Sequence, residues 1–263
     1  MTKLMVVSTS HALALRAGME RLARKDPTRY QTSSETDTWI VGDDHVRVFT
    51  LRSARFELSD FSTVSKGHVH LTGDPARAMR RAIGTDRFDP SVVWAFVNIV
   101  NTHRLFQNPM WRTYAPSALG RIGERTPLTE AALRKTILAD QGPIRAFYAR
   151  LAAAGVPIVA AEVPRLRGDA TVLRHEDDRR VARWIDDLNR AEWNRYLESL
   201  SIPVVHVPEE TVGTDGFLAP ELRSLDVTAS GVPDKHHANP EWAMSYLPPI
   251  LEEMSRAATT FSL

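Results

Sequence analysis

The segment SVVWAFVNIV, at residues 91–100, decides the fold class of this chain. Its residues are almost all apolar and many are β-branched, without the polar alternation of a strand that has one face in water. Such a run is typical of a strand that is buried on both faces of a parallel sheet. The pattern therefore predicts that residues 91–100 form the central strand of an α/β domain.

Strand and helix patterns alternate on both sides of this segment. Short apolar or β-rich runs predict strands at residues 4–7, 38–41, 45–51, 157–163 and 202–207, of which the second and third form either a hairpin or two separate fragments. Apolar residues at helical spacing predict helices at residues 12–22, 74–83, 129–154, 177–200 and 240–254, the third with a break near Gly142-Pro143. This alternation predicts a single domain, residues 1–263, built as a three-layer α/β/α sandwich around a parallel sheet of about five strands.

Composition excludes several classes of function. The chain of 263 residues is 43% apolar, which is enough for a substantial core and argues against disorder. Its 33 basic and 32 acidic residues give a formal net charge of +1, so it lacks the field that a nucleic-acid partner would need. It contains no cysteine, which excludes disulfides, thiolate catalysis and cysteine-ligated metals. Any metal site would need histidines and carboxylates.

The N-terminal residues predict a cytoplasmic protein. Only the apolar run at residues 4–7 follows Lys3 before polar residues begin, and this run is too short for a signal peptide. No apolar stretch approaches the roughly 20 residues that cross a bilayer. We therefore expect no membrane span.

Four polar residues, Ser8-Thr9-Ser10-His11, stand between the first predicted strand and the first predicted helix. Open α/β sheets place ligand sites at the carboxyl ends of their strands, and a helix N-terminus stabilises developing negative charge. Ser10 is therefore a candidate nucleophile. A serine before a helix is also a common N-cap, and that alternative stays open.

A second polar segment, Asp234-Lys235-His236-His237, precedes the last predicted helix. A serine hydroxyl needs a base to take its proton, and neutral imidazole titrates in the right range. A carboxylate must then hold the imidazole in the correct tautomer, and the short spacing lets Asp234 and His237 reach the same site. Two alternatives stay open: a solvated loop that caps the helix, or a metal site with Asp234, His236 and His237 as ligands.

Together these two segments resemble the motifs of the SGNH (GDSL-like) hydrolase family. In that family a Gly-Asp-Ser motif follows the first strand, and an Asp-x-x-His motif precedes the closing helix. The first segment stands at the first motif, with Ser8 and Thr9 in place of glycine and aspartate, and Asp234 and His237 match the last motif. The resemblance implies a flavodoxin-like sheet and a catalytic triad in which Ser10 is the nucleophile, His237 the base and Asp234 its orienting carboxylate.

The resemblance also implies an oxyanion hole. The family takes one donor from an asparagine after the central strand, where Asn101 fits, with Asn98 in reserve. The backbone N–H of Ser10 is a second donor. The family's second motif supplies a glycine N–H, but Leu51-Arg52-Ser53-Ala54 stands near that place without a glycine, so the backbone N–H of Ser53 is the candidate there.

The stretch at residues 101–125 is irregular and carries Phe106, Trp111 and Tyr114. Long loops often form the walls of binding sites. These aromatic side chains are therefore either walls of a pocket for an acyl or sugar group, or ordinary packing residues.

As a function, the resemblance implies a serine hydrolase that cleaves an ester of a small molecule or a carbohydrate through an acyl-enzyme, without a cofactor or a metal. One alternative is an acyltransferase, which would use the same triad with another alcohol in place of water. The other alternative is a non-catalytic protein of this fold that binds a carbohydrate or a partner protein, and the altered first and second motifs favour it.

Overall fold

The structure, a computed structural model, describes residues 2–51, 60–227 and 231–261. In these residues the strands are β1 (Lys3–Ser8), β2 (Tyr30–Thr32), β3 (Thr38–Val41), β4 (Asp44–Thr50), β5 (Ser62–Ser65), β6 (His68–Leu71), β7 (Val92–Ile99), β8 (Tyr114–Pro116), β9 (Thr126–Leu128), β10 (Ile158–Glu162) and β11 (Val204–Val205). The α-helices are α1 (Ala12–Lys25), α2 (Gly73–Ile83), α3 (Thr102–Phe106), α4 (Glu130–Asp140), α5 (Gly142–Ala153), α6 (Glu176–Ser199) and α7 (Pro240–Phe261).

The main sheet contains seven strands in the order β11-β10-β7-β1-β4-β3-β2. Neighbouring strands from β11 to β4 are parallel, whereas β3 and β2 run antiparallel at one edge. β7, which the sequence predicted as the central strand, lies in the middle of the parallel part. The prediction of a parallel sheet of about five strands is confirmed, and β3 and β4 form a hairpin with Gly42 at a φ of +60° in its turn.

The burial of β7 explains the layers on either side of the sheet. All eight residues of β7 are buried, and successive side chains point to opposite faces. Val93 and Val97 pack with α1 and α7 on one face. Trp94 and Phe96 pack with α2, α5 and the C-terminal part of α6 on the other. Helices thus cover both faces, and the predicted three-layer α/β/α sandwich is confirmed.

Two elements near the C-terminus differ in length from their predictions. β11 is shorter than the predicted strand. The backbone N–H of Val207 donates to the side-chain carboxylate of Glu162 and so makes no backbone hydrogen bond to a neighbouring strand. α7 is longer than the predicted helix and continues through Pro248 and Pro249, since its inner face stays buried. In the described part of the chain no helix, α7 included, is long and apolar enough to cross a bilayer.

Candidate active site

The predicted nucleophile and the predicted oxyanion donor leave the sheet side by side. β1 and β7 are parallel neighbours, with Ser8 opposite Val97 near their carboxyl ends. Ser10 follows β1 and Asn101 follows β7. Both residues therefore lie at the edge of the sheet where α/β proteins place their ligand sites.

Side-chain hydrogen bonds hold the turn after β1, in which the sequence has no glycine. The buried hydroxyl of Ser8 donates to the carbonyl oxygen of Val97 on β7 at 3.1 Å. The hydroxyl of Thr50 on β4 donates to the carbonyl oxygen of Thr9 at 2.7 Å. The turn is thus tied to the strands on both sides of β1.

Ser10 is exposed at the start of α1. The N-cap residue of this helix is His11, and no side chain makes a capping hydrogen bond there. The alternative of Ser10 as a capping residue is therefore wrong. Its Oγ instead lies 3.3 Å from Nδ1 of His11.

Asp234 and His237 form a hydrogen-bonded pair in the loop before α7. Nδ1 of His237 lies 2.7 Å from Oδ2 of Asp234. The backbone N–H groups of His236 and His237 donate to Oδ1 of Asp234 at 2.9 and 3.2 Å. Burial favours the neutral acid, but these hydrogen bonds outweigh burial and lower the pKa of Asp234. Asp234 is therefore a carboxylate that accepts from Nδ1 and leaves Nε2 of His237 for proton exchange.

His11 lies between the candidate nucleophile and the candidate base. Its ring centroid is 5.2 Å from that of His237 and 5.7 Å from that of Trp242. Among the described residues no hydrogen bond joins Ser10 directly to His237, so the contact between them runs through His11. Nucleophile and base are often loosely placed in a free enzyme, and an exposed serine can change its rotamer.

His11 is a residue that the sequence did not single out. Burial, and after it the neighbouring His237, lower the pKa of His11 to about 3. Its Nε2 is buried without a hydrogen-bond partner among the described residues. His11 is therefore neutral wherever an imidazole base works, and its ring does not repel a cation that forms on His237.

We expect the buried His11 to make the protein less stable in acid. A histidine titrates near 6.5 in an unfolded chain, so between pH 6.5 and about 3 the unfolded state binds a proton that the folded state refuses. The contribution of neutral His11 to the free energy of unfolding is complete above pH 6.5. Below pH 6.5 this contribution is lost, at up to about 1.4 kcal/mol per pH unit. Urea unfolding at pH 7.5 and 5.0 should show a smaller pH dependence for His11→Gln than for the wild type or for His68→Gln. Equal pH dependence in all three proteins would contradict the assignment.

The side-chain amide of Asn101 is oriented so that its nitrogen can donate a hydrogen bond. It is the N-cap of α3, and its Oδ1 accepts from the backbone N–H of Arg104 at 3.1 Å. Because the oxygen is held in this way, the amide nitrogen is left to donate. The preceding residue, Val100, has a φ of +59°, an unusual value for a β-branched residue, and this turn separates Asn101 from the strand.

The other two candidate oxyanion residues are placed differently. Asn98 lies within β7, is 5% exposed, and accepts a hydrogen bond from the hydroxyl of Tyr148 at 2.8 Å. Its side chain is thus engaged in the core on the face covered by α5. Ser53 lies outside the described residues.

The other histidine of the loop before α7, His236, faces α3. Nδ1 of His236 lies 3.2 Å from Nδ1 of His103, and their ring centroids are 3.9 Å apart. One ring must donate and the other accept, so at least one of them is neutral. Burial, followed by the neighbouring histidines, lowers the pKa of His103 to about 3 and also lowers that of His236. His236 therefore links the loop of the base to the helix that Asn101 caps.

The metal alternative gains no support from this arrangement. In residues 2–51, 60–227 and 231–261, no three His, Asp or Glu side chains converge as metal ligands would. Nδ1 of His237 faces Asp234, whereas Nδ1 of His236 faces His103.

A buried arginine, which the sequence did not reveal, supports the loop that carries the pair. Arg167 follows β10 and is 5% exposed. Its Nη1 donates to the carbonyl oxygens of Ser224 and Asp234 at 2.9 and 2.7 Å. Its Nε and Nη2 donate to the two carboxylate oxygens of Asp169 at 3.0 and 2.9 Å. Arg167 therefore fixes the backbone of Asp234 against the sheet.

Comparisons with known proteins identify the fold. No protein-family model matches the chain, and no curated protein matches it in sequence. A solved structure from Bacteroides fragilis, assigned as an acylhydrolase, is similar over 98% of this chain and 88% of its own, with 10% identity and a TM-score of 0.50. A GDSL-like lipase from Bacteroides thetaiotaomicron is similar over 97% of this chain and 89% of its own, with 11% identity and a TM-score of 0.49. An extracellular lipase from Streptomyces rimosus is similar over 97% of this chain and 100% of its own, with 12% identity and a TM-score of 0.46.

Fold and site together define a class. The chain is a three-layer α/β/α protein with its candidate site at the carboxyl edge of a parallel sheet. Within that class it has the fold of the SGNH (GDSL-like) hydrolases, as the resemblance of its motifs implied.

Proposed function

We propose that this protein is a serine hydrolase that cleaves an ester of a small molecule or a carbohydrate through an acyl-enzyme. The observation that carries the proposal is the hydrogen bond of 2.7 Å between Asp234 and Nδ1 of His237. This bond leaves Nε2 as the proton acceptor, at the sheet edge where Ser10 and Asn101 also lie. The SGNH fold of the chain supports the same activity.

In the first half-reaction the hydroxyl oxygen of Ser10 attacks the ester carbonyl carbon while Nε2 of His237 takes its proton. The carbonyl oxygen becomes an oxyanion, which accepts hydrogen bonds from the backbone N–H of Ser10 and the side-chain amide of Asn101. The carbon–oxygen bond to the alcohol then breaks, and the imidazolium gives its proton to the departing alkoxide. Ser10 is left as an ester of the acyl group.

In the second half-reaction water takes the place of the alcohol. His237 removes a proton from the water molecule as its oxygen attacks the acyl-enzyme. The new tetrahedral intermediate collapses, the proton returns to Oγ of Ser10, and the carboxylic acid leaves. Asp234 stays ionised throughout, because its pKa is lowered, and stabilises the imidazolium in both halves.

We expect a fluorophosphonate to label Ser10 covalently, since only an activated hydroxyl reacts with it at a useful rate. Peptide mapping of the labelled, folded protein should place the adduct on the peptide that contains Ser10. Ser10→Ala should abolish labelling, whereas Ser65→Ala, at an exposed serine of β5, should leave it unchanged. Labelling at another residue would refute the nucleophile assignment, and no labelling of folded protein would favour a non-catalytic role.

A further inference from the structure

A cleft of about 500 Å³ lies at the C-terminal end of α3, the helix whose N-cap is the candidate oxyanion donor Asn101. One of its walls is formed by residues 106–112, which begin at the end of α3, and the other by residues 171–178, which lead into α6. Asn101 is the N-cap of α3 and Phe106 is its last residue, and the rise along the helix between them is about 7.5 Å. The cleft is therefore within reach of a substrate whose carbonyl group lies at Asn101.

The cleft is positively charged. Arg112, Arg125 and Arg174 line it, together with the single carboxylate of Asp178. That carboxylate is already engaged: Oδ1 accepts from Arg125, and Oδ2 accepts from the backbone N–H groups of Arg174 and His175 at 2.8 and 2.9 Å. In the described part of the chain the exposed guanidinium groups of Arg112 and Arg174 pair with no carboxylate. Two cationic groups are thus available to a ligand.

A third guanidinium lacks one of its acceptors. Nη2 of Arg125 donates to Asp178, but Nη1 is buried and has no hydrogen-bond partner among the described residues. A buried charged donor without an acceptor is costly. An oxyanion bound in the cleft can supply that acceptor, because planar guanidinium groups match the geometry of carboxylates, sulfonates and phosphates.

Two aromatic residues give the wall at residues 106–112 an apolar part that is held in place. The rings of Phe106 and Trp111 stack with centroids 5.6 Å apart, and the indole N–H of Trp111 donates to the carbonyl oxygen of Leu105 at 2.8 Å. An apolar wall beside cationic groups fits a ring or a short chain that ends in an oxyanion.

We propose that this cleft binds an oxyanion carried by the substrate, so that the ester cleaved at Ser10 has an aryl or short acyl part bearing a carboxylate or a similar anionic group. That the substrate is an ester rests on the proposed function. That it carries an anionic group rests on the cleft alone. Phe106 and Trp111 give the apolar contact, and Arg112, Arg125 and Arg174 hold the anion.

The test compares two acetate esters of the same shape, 4-acetoxybenzoate and its neutral counterpart 4-acetoxybenzamide. The wild type should prefer the anionic ester in kcat/KM. In the double variant Arg112→Gln/Arg174→Gln, kcat/KM for 4-acetoxybenzoate should fall by at least about tenfold, while that for 4-acetoxybenzamide changes by less than about twofold. Both arginines are exposed, so the variant should fold. Arg121→Gln, at an exposed arginine that does not line the cleft, is the matched control for loss of charge.

A binding measurement separates this proposal from the proposed function. Calorimetry with Ser10→Ala protein should show binding of 4-hydroxybenzoate, and separately of inorganic phosphate, that the two arginine substitutions weaken by about tenfold or more. Loss of binding in the double variant without turnover of either ester would support the cleft and contradict the hydrolase. Equal turnover of both esters, with no effect of the double variant on either binding or turnover, would overturn the cleft and leave the hydrolase standing.

Discussion

Replacement of His237 by alanine is expected to remove nearly all ester turnover, a loss of at least about 10⁴-fold in kcat, because the other histidines described near Ser10 are poorly suited to take its proton. His11 is buried and neutral, with a pKa of about 3, and His236 is turned toward His103. The same substitution should slow phosphonate labelling to a similar degree. Initial rates of ester hydrolysis, with circular dichroism to confirm folding, measure the effect.

The chain offers a matched control in the adjacent histidine. His236→Ala removes the contact with His103 but keeps the hydrogen bond between Asp234 and His237, so turnover should stay within about tenfold of the wild type. Asp234→Asn should keep the fold but reduce kcat by about 10⁴-fold, since an amide favours the wrong imidazole tautomer. Equal losses in the two histidine variants would show that the loop as a whole, and not the imidazole of His237, is needed.

The carboxylate of the same pair, Asp234, stays charged near neutral pH. Hydrogen bonds hold the pKa of Asp234 below its usual range, so this carboxylate is ionised wherever the protein is folded near neutral pH. Asp234 therefore keeps its negative charge across the neutral range and adds no pH dependence of its own to turnover there.

Much of the fold could be predicted from the sequence because its long elements have strong patterns. Residues 91–100 are apolar throughout, and a strand of that kind needs cover on both faces, which fixes a parallel sheet with helices on either side. The short pairs β5–β6 and β8–β9 were not predicted. Strands of three or four residues with exposed positions, such as Thr126–Leu128, give too little alternation to be recognised.

Candidate site residues could be proposed from the sequence because the proposed roles depend on local spacing. Asp234 and His237 share one loop, and Ser10 directly follows a strand, so sequence order alone brings each to the sheet edge. His103 and Arg167 could not be found in this way. Each acts on a residue far away in the chain, His103 on His236 and Arg167 on the backbone of Asp234, and only the packed structure brings them together.

The choice of the candidate oxyanion donor also depends on packing that the sequence does not show. Asn98 and Asn101 stand three residues apart, and the sequence favours Asn101 only by its position at the end of the strand. Burial separates the two. The oxygen of Asn98 accepts from Tyr148 in the core, whereas the oxygen of Asn101 caps α3 and leaves its amide nitrogen at the sheet edge.

Asn101→Ala should lower kcat by about 10²- to 10³-fold with little change in KM, because an oxyanion donor acts mainly in the transition state. Alanine also removes the N-cap of α3, which costs about 1 kcal/mol of stability and has to be separated from the catalytic effect. Asn101→Ser provides that separation, since its hydroxyl can cap the helix but carries no amide donor, and it should lose kcat as alanine does. Asn98→Ala should weaken stability through the lost hydrogen bond to Tyr148 and leave kcat within about threefold. Steady-state kinetics on one ester, paired with urea unfolding of each variant, gives both quantities. An unchanged kcat in Asn101→Ser together with a large loss in Asn98→Ala would move the donor to Asn98, and the orientation described for the two amides would then have to reverse.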